Sequence, residues 1–102
     1  MTKKNRKKIT VLIPCYNEEN GISQVLKSFP KEKIAAQGYN LEVIVIDNNS
    51  SDHTADLARA HGATVIHEPN KGKGNAMRRG FYAISEETDY ILMLDGDNTY
   101  RP

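Results

Sequence analysis

Four short apolar runs punctuate the chain, and stretches of helical periodicity separate them. In the first, Ile9 to Pro14, the residues Ile9, Val11, Leu12 and Ile13 are nearly continuous. Continuity rather than alternation predicts a strand covered on both faces. Pro14 has no N–H to give and ends the pairing. Leu41 to Ile46 is the second run, continuous and mostly β-branched, as strands prefer. Thr64 to His67 predicts a short third strand, and Tyr90 to Leu94 a fourth. Between the first two, Ile22, Val25, Leu26 and Phe29 fall at i, i+3, i+4 and i+7, the spacing of one helix face. Asn20 is the expected N-cap of that helix and Pro30 its stop. Lys31 to Gln37 predicts a short helical turn ended by Gly38. Asp52 is placed to cap a helix from His53 to His61, with Gly62 as the C-terminal stop. Lys71-Gly72-Lys73-Gly74 leads into a last helix, with Met77, Phe81 and Ile84 as its expected inner face and Gly80 for close packing.

Alternation of strand and helix predicts an α/β protein: a parallel sheet, right-handed crossovers, and helices on both faces. Ligands of open α/β sheets bind outside the carboxyl ends of the strands. That rule gathers the polar residues onto one rim. Tyr16, Asn17 and Glu18 follow the first strand, and Asp47 and Asn48 the second. Lys71 and Lys73 follow the third strand, and Asp95 and Asp97 the fourth.

The sharpest of these signals is the end of the fourth run, Leu94-Asp95-Gly96-Asp97. Extended chain puts residues i and i+2 on one side, so the two carboxylates can converge. Like charges at one point repel unless a cation sits between them. Hard oxygen ligands suit magnesium, manganese or calcium. Gly96 allows a tight turn and a close approach to the backbone. Asp-Gly is also a common turn dipeptide, so a plain polar turn competes with the metal site. A cation here would neutralise a diphosphate as a leaving group. Lys71, Lys73 and the first N–H groups of the last helix would add positive potential.

Composition narrows the class further. At 102 residues, with 38% hydrophobic and 26% charged, the chain reads as one globular domain or a part of one. No apolar run approaches the roughly 20 residues that span a bilayer, and no secretory signal follows the basic start. The single cysteine, Cys15, excludes an internal disulfide and suits a reducing compartment, hence a cytoplasmic location. Next to Pro14, it reads as a packing residue rather than a nucleophile, since no base is paired with it. Net charge is +1, but five of the first eight residues are basic and the remainder carries −4. Residues 1–8 read as a solvated basic tail and 9–102 as the domain. Such a tail can lean on anionic lipid at the cytoplasmic face of a membrane. No aromatic residue interleaves it, so nucleic-acid binding gains no support. A dinucleotide fingerprint would follow the first strand, whereas Gly72-Lys73-Gly74 follows the third and lacks the last glycine. The P-loop pattern is absent, and His53, His61 and His67 are scattered.

Four motifs, in order, carry a resemblance to the amino-terminal part of family 2 glycosyltransferases of the GT-A fold, in the branch of dolichyl-phosphate sugar synthases. Ile13-Pro14-Cys15-Tyr16-Asn17-Glu18 resembles the P-x-Y-N-E turn. Val45-Ile46-Asp47-Asn48-Asn49-Ser50-Ser51-Asp52-His53-Thr54 resembles V-D-D-x-S-x-D-x-T. Asn70-Lys71-Gly72-Lys73-Gly74-Asn75-Ala76 resembles N-x-G-K-G-x-A, and Asp95-Gly96-Asp97 the D-x-D motif. The resemblance implies a three-layer α/β/α, Rossmann-like half that binds a UDP- or GDP-linked sugar with Mn2+ or Mg2+. By carry-over, Pro14, Tyr16, Glu18 and Asp47 would hold base and ribose. Lys73, Asp95, Gly96 and Asp97 would hold the diphosphate, with Asp95 and Asp97 as metal ligands. The acceptor it suggests is a lipid phosphate or a glycan. Asn48 departs from the pattern, standing where many members have a second aspartate. The family continues beyond the D-x-D, so the chain is expected to carry the donor half, with the catalytic base beyond Pro102. Two other classes compete. A nucleotidyltransferase should show a basic glycine-rich loop after the first strand, and a flavodoxin-like signalling module should use strand-end aspartates as phosphoacceptors.

Overall fold

The computed structural model describes residues 6–94 and 96. Strand β1 (Lys7–Cys15) is followed by helices α1 (Ile22–Lys27) and α2 (Lys31–Ala36), then by β2 (Tyr39–Asp47) and α3 (Thr54–Ala60). β3 (Thr64–His67), α4 (Lys73–Ala83) and β4 (Tyr90–Met93) complete the order. The strands form one parallel sheet in the order β3-β2-β1-β4. Every polar rim segment therefore leaves the same end of the sheet, as the alternation predicts.

The continuous apolar runs of β1 and β2 serve two cores, because alternate side chains leave opposite faces. Val11, Ile13, Val43 and Val45 pack with Ile22, Val25, Leu26 and Ala58 of α1 and α3. On the other face, Leu12, Ile44 and Ile46 pack with Ala76 of α4. The register that pairs Val11 with Val43 and Leu12 with Ile44 keeps like faces together. Gly80 lets α4 approach the sheet: a Cβ there would stand 2.9 Å from Ile46 Cδ1 and 3.3 Å from Leu12 Cδ1. Thr10, a polar residue within β1, is fully buried and shares a 2.7 Å hydrogen bond with Thr88.

Several local expectations change. α1 begins after Gly21 and not at an Asn20 cap, and it ends at Lys27, two residues short of Phe29. The Glu18 carbonyl accepts from Gly21 N and Ile22 N, so the loop itself starts the helix. α3 has His53 at its N-cap, while Asp52 Oδ1 accepts from Thr54 N at 2.9 Å, one step outside the expected position. Phe81 lies on the outer side of α4, 49% exposed, whereas Met77 and Ile84 pack against the core as expected, beside the buried Ala76 and Gly80. β1 starts two residues before Ile9. Arg6, read from sequence as solvated, donates to the carbonyls of Ala35 and Tyr39 and to Asn40 Oδ1. Its guanidinium thus serves the carboxyl end of α2, where carbonyls lack helical partners. Among the described residues, no helix is long and apolar enough to cross a membrane.

Candidate functional site

The loops after β1 and β2 are stitched into one ledge. Asn17 N donates to Ser50 Oγ at 2.9 Å, and Ser51 N returns a bond to Asn17 Oδ1 at 2.8 Å. Glu18 N donates to Thr54 Oγ1 at 2.8 Å, Glu19 N to Asp52 Oδ2 at 3.2 Å, and His53 N to Glu19 Oε1 at 3.0 Å. Asn17 and Asn49 both take the left-handed conformation, with φ of 52° and 65°. Asparagine tolerates that region better than most residues, which fits two tight reversals facing each other. Asp52 also accepts from the Thr54 hydroxyl. Burial pushes its carboxyl up, but the bonds from Thr54, Glu19 and its own backbone outweigh that and hold it below the ordinary 3.8. Asp52, Thr54 and Asn17 are therefore scaffold residues of the rim. The signal was present in the sequence as a run of Asn, Ser, Asp and Thr able to bond to itself.

Asn48 is the second device. It is 6% exposed, and both polar atoms of its side chain are used. Its amide donates to the carbonyls of Glu68 (3.1 Å) and Asn70 (2.8 Å), while Oδ1 accepts from Gly72 N at 2.8 Å. An aspartate could accept from Gly72 but could donate to neither carbonyl. The departure from the D-D pattern is thus a latch that ties the β2 rim to the loop before α4. Gly72, at the end of that loop, has φ 126°, which a side chain would strain. Lys71, in the latched loop, reaches across the rim. Its Nζ donates to Tyr16 Oη at 3.0 Å and stands 4.8 Å above the Tyr16 ring.

These elements enclose a cavity of about 190 Å³ at the carboxyl end of β1, lined by Pro14, Cys15, Tyr16, Glu18, Asn48, Lys73 and Gly96. A second hollow of about 340 Å³ shares Pro14 and Lys73 and continues toward Met77, Met93 and Leu94. Of the predicted site residues, Pro14, Tyr16, Glu18, Lys73 and Gly96 thus meet around one space. Asp47 is not in that lining. It is 6% exposed, accepts from Ser50 N at 3.1 Å, and has His67 Nδ1 3.8 Å from its other oxygen. Asp95 and Asp97, the expected metal ligands, lie outside the described residues. Gly96 brings the stretch between them to the cavity wall. Among the described residues, no three of His, Cys, Asp and Glu cluster to hold a metal. Cys15 is buried, as a packing residue should be, and also lines the cavity.

Comparison with known proteins gives this geometry a setting. The sequence profile described as Glycosyl transferase family 2 matches residues 10–102. Protein RfbJ of Shigella flexneri is 47% identical over 92 residues, which are 90% of this chain and 66% of that protein. Glycosyltransferase AglJ of Haloferax volcanii is 38% identical over 95 residues, covering 91% of this chain and 28% of that protein. Among solved structures, glucosyl-3-phosphoglycerate synthase of Mycobacterium tuberculosis superposes with a TM-score of 0.73 at 31% identity, covering 88% of this chain and 33% of that one. It was crystallised with Mn2+, uridine diphosphate and glucosyl-3-phosphoglycerate, and in another crystal with Mg2+ and uridine diphosphate. This chain therefore spans 66% of the Shigella protein and about a third of the synthase.

Proposed function

The chain belongs to glycosyl transferase family 2, and from that premise we propose that it binds the donor of a sugar transfer, a uridine-diphosphate-linked sugar, at the rim of β1. What supports this most is the convergence of Tyr16, Glu18, Lys73 and Gly96, from three separate stretches of sequence, on one cavity. The uridine base is favoured because the synthase that shares the fold was solved with uridine diphosphate. Tyr16 offers a flat ring for the base, and Pro14, Glu18 and Asp47 are assigned to base and ribose. Lys73 opens α4 at the cavity, where its charge and the positive end of the helix suit a diphosphate.

Asp95 and Asp97 would hold a divalent cation, Mn2+ or Mg2+, as hard carboxylate ligands do. Such a cation supplies charge neutralisation to a departing nucleotide diphosphate. The proposed reaction breaks the bond between the anomeric carbon and the diphosphate as an acceptor oxygen attacks. We assign this chain donor binding. For the acceptor we favour a lipid phosphate, because the basic amino terminus suits an anionic bilayer. Flotation with vesicles containing anionic lipid, and not with neutral ones, is the expected sign of that contact.

Calorimetric titration with uridine and guanosine diphosphates, each with manganese and again with chelator, tests the donor assignment. Manganese-dependent binding of the uridine nucleotide, abolished by Asp97→Ala, is the expected result. A folded chain that binds neither nucleotide overturns it.

A further inference from the structure

Thr54 opens α3 with a hydroxyl that has no access to solvent, since the residue is 0% exposed. A hydroxyl carries one proton and two acceptor lone pairs. Glu18 N donates to Thr54 Oγ1 at 2.8 Å, and an amide N–H can only donate. The hydroxyl proton therefore goes elsewhere, and Asp52 Oδ1 receives it. The same oxygen accepts from Thr54 N at 2.9 Å, while Asp52 Oδ2 accepts from Glu19 N at 3.2 Å. The carbonyl of Glu18 accepts from Gly21 N at 3.0 Å and from Ile22 N at 2.8 Å. The Glu18 backbone is thus held on both sides, and Thr54 holds its N–H. Glu18 lines the cavity at the end of β1, and Thr54 stands behind it, outside the lining.

We propose that Thr54 is a positioning residue for the donor: its hydroxyl, oriented by Asp52, fixes the backbone of Glu18 at the cavity wall and so sets where the Glu18 carboxylate meets the nucleotide. The shape of the side chain alone does not do this. Valine has the same β-branched outline but offers Glu18 N no acceptor, and native structures avoid a buried N–H without a partner. Serine keeps the oxygen. A residue that merely started α3 would be indifferent to whether Glu18 carries a side chain. The donor part of this inference rests on the donor-site reading above, and the hydrogen-bond part does not.

The native chain is compared with Thr54→Ser, Thr54→Val, Glu18→Ala, the Glu18→Ala/Thr54→Val double variant, and Ala58→Gly, which weakens α3 from its core side. The first readout is the dissociation constant of uridine diphosphate with saturating manganese. Thr54→Val is expected to raise it about 10-fold, a coupling of the size that residues in one hydrogen-bond network show. Thr54→Ser is expected to recover most of that loss, and Ala58→Gly to leave the constant unchanged. With Glu18 already alanine, Thr54→Val should add no more than about twofold, because it acts through the missing carboxylate. Equal effects of Thr54→Val with and without the Glu18 side chain overturn the positioning role. So does a loss in Ala58→Gly as large as in Thr54→Val, a loss in Thr54→Ser as large as in Thr54→Val, or a Glu18→Ala variant that binds as the native chain does. The second readout is hydrogen exchange of the Glu18 amide without nucleotide, expected to be faster in Thr54→Val than in the native chain and Thr54→Ser. Equal rates overturn the hydrogen bond. If the native chain binds no nucleotide, the donor-site reading fails, and this exchange still decides whether Thr54 holds Glu18. Should Thr54→Val not fold, Asp52→Ala, which takes the acceptor from the hydroxyl and leaves Thr54 in place, enters the same cycle with Glu18→Ala.

Discussion

The two flanks of β1's carboxyl end are finished in opposite ways. Toward β2 the rim is polar, part-buried and closed on itself by the bonds of Asn17, Asn48, Ser50, Asp52 and Thr54. No buried side-chain nitrogen or oxygen among the described residues lacks a partner. Toward β4 the surface is apolar and open: Tyr90, Ile91, Leu92, Met93 and Leu94 are all exposed, as are Phe81 and Tyr82 of α4. The first flank needs no ligand to hold its shape. The second gains no such support, and local stability follows the density of buried contacts.

Substitutions should separate the flanks. The largest effect is expected beneath the ledge: Ile44→Ala, 1% exposed in the core, should cost about 2–5 kcal/mol in chemical unfolding. Next, Asn48→Leu strands Gly72 N and two carbonyls, and an unsatisfied buried group costs about 1–3 kcal/mol. It should also free the Lys71 loop, so uridine nucleotide affinity should fall with stability. Asn48→Asp should restore only the Gly72 bond and lie between. Asp52 should give a smaller, pH-dependent loss. Its folded carboxyl sits below 3.8, so its contribution is full above that value and disappears as pH falls through the lower folded value. Asp52→Asn should therefore be less stable than the native chain at pH 6, with the gap closing in acid below about pH 4. On the open flank, Phe81→Ser should change stability by no more than about 0.5 kcal/mol. A large loss there would erase the contrast between the two flanks.

The sheet was legible because its apolar runs are continuous and the helices between them keep a 3.6-residue period. Gly80 was legible for the same reason, as a small residue on the packed face. Phe81 was misread because it sits one position beyond Gly80, and a single aromatic residue cannot tell the packed face from the next. The rim was legible in its membership but not in its division of labour. Asn17 reads as a rim residue and Asp52 as a helix cap in sequence, yet they and Thr54 find partners in one another's loops, some 33 to 36 residues away. Asn48 looked like a lost charge, and only the carbonyls of Glu68 and Asn70 reveal why an amide stands there.

The pairing of β1 with both β2 and β4 orders events in time. Lys7 meets Tyr39 after a loop of modest length, whereas Ile9 meets Tyr90 across 81 residues (90 − 9). Long loops close late because their entropy must be overcome before the contact rewards it. On a ribosome β1 and β2 can associate, and Asn17 can find Ser50, while the D-x-D segment is still unmade. The ledge is then assembled first and β4 is fitted to it, so an error in β1 is inherited by everything that docks afterwards.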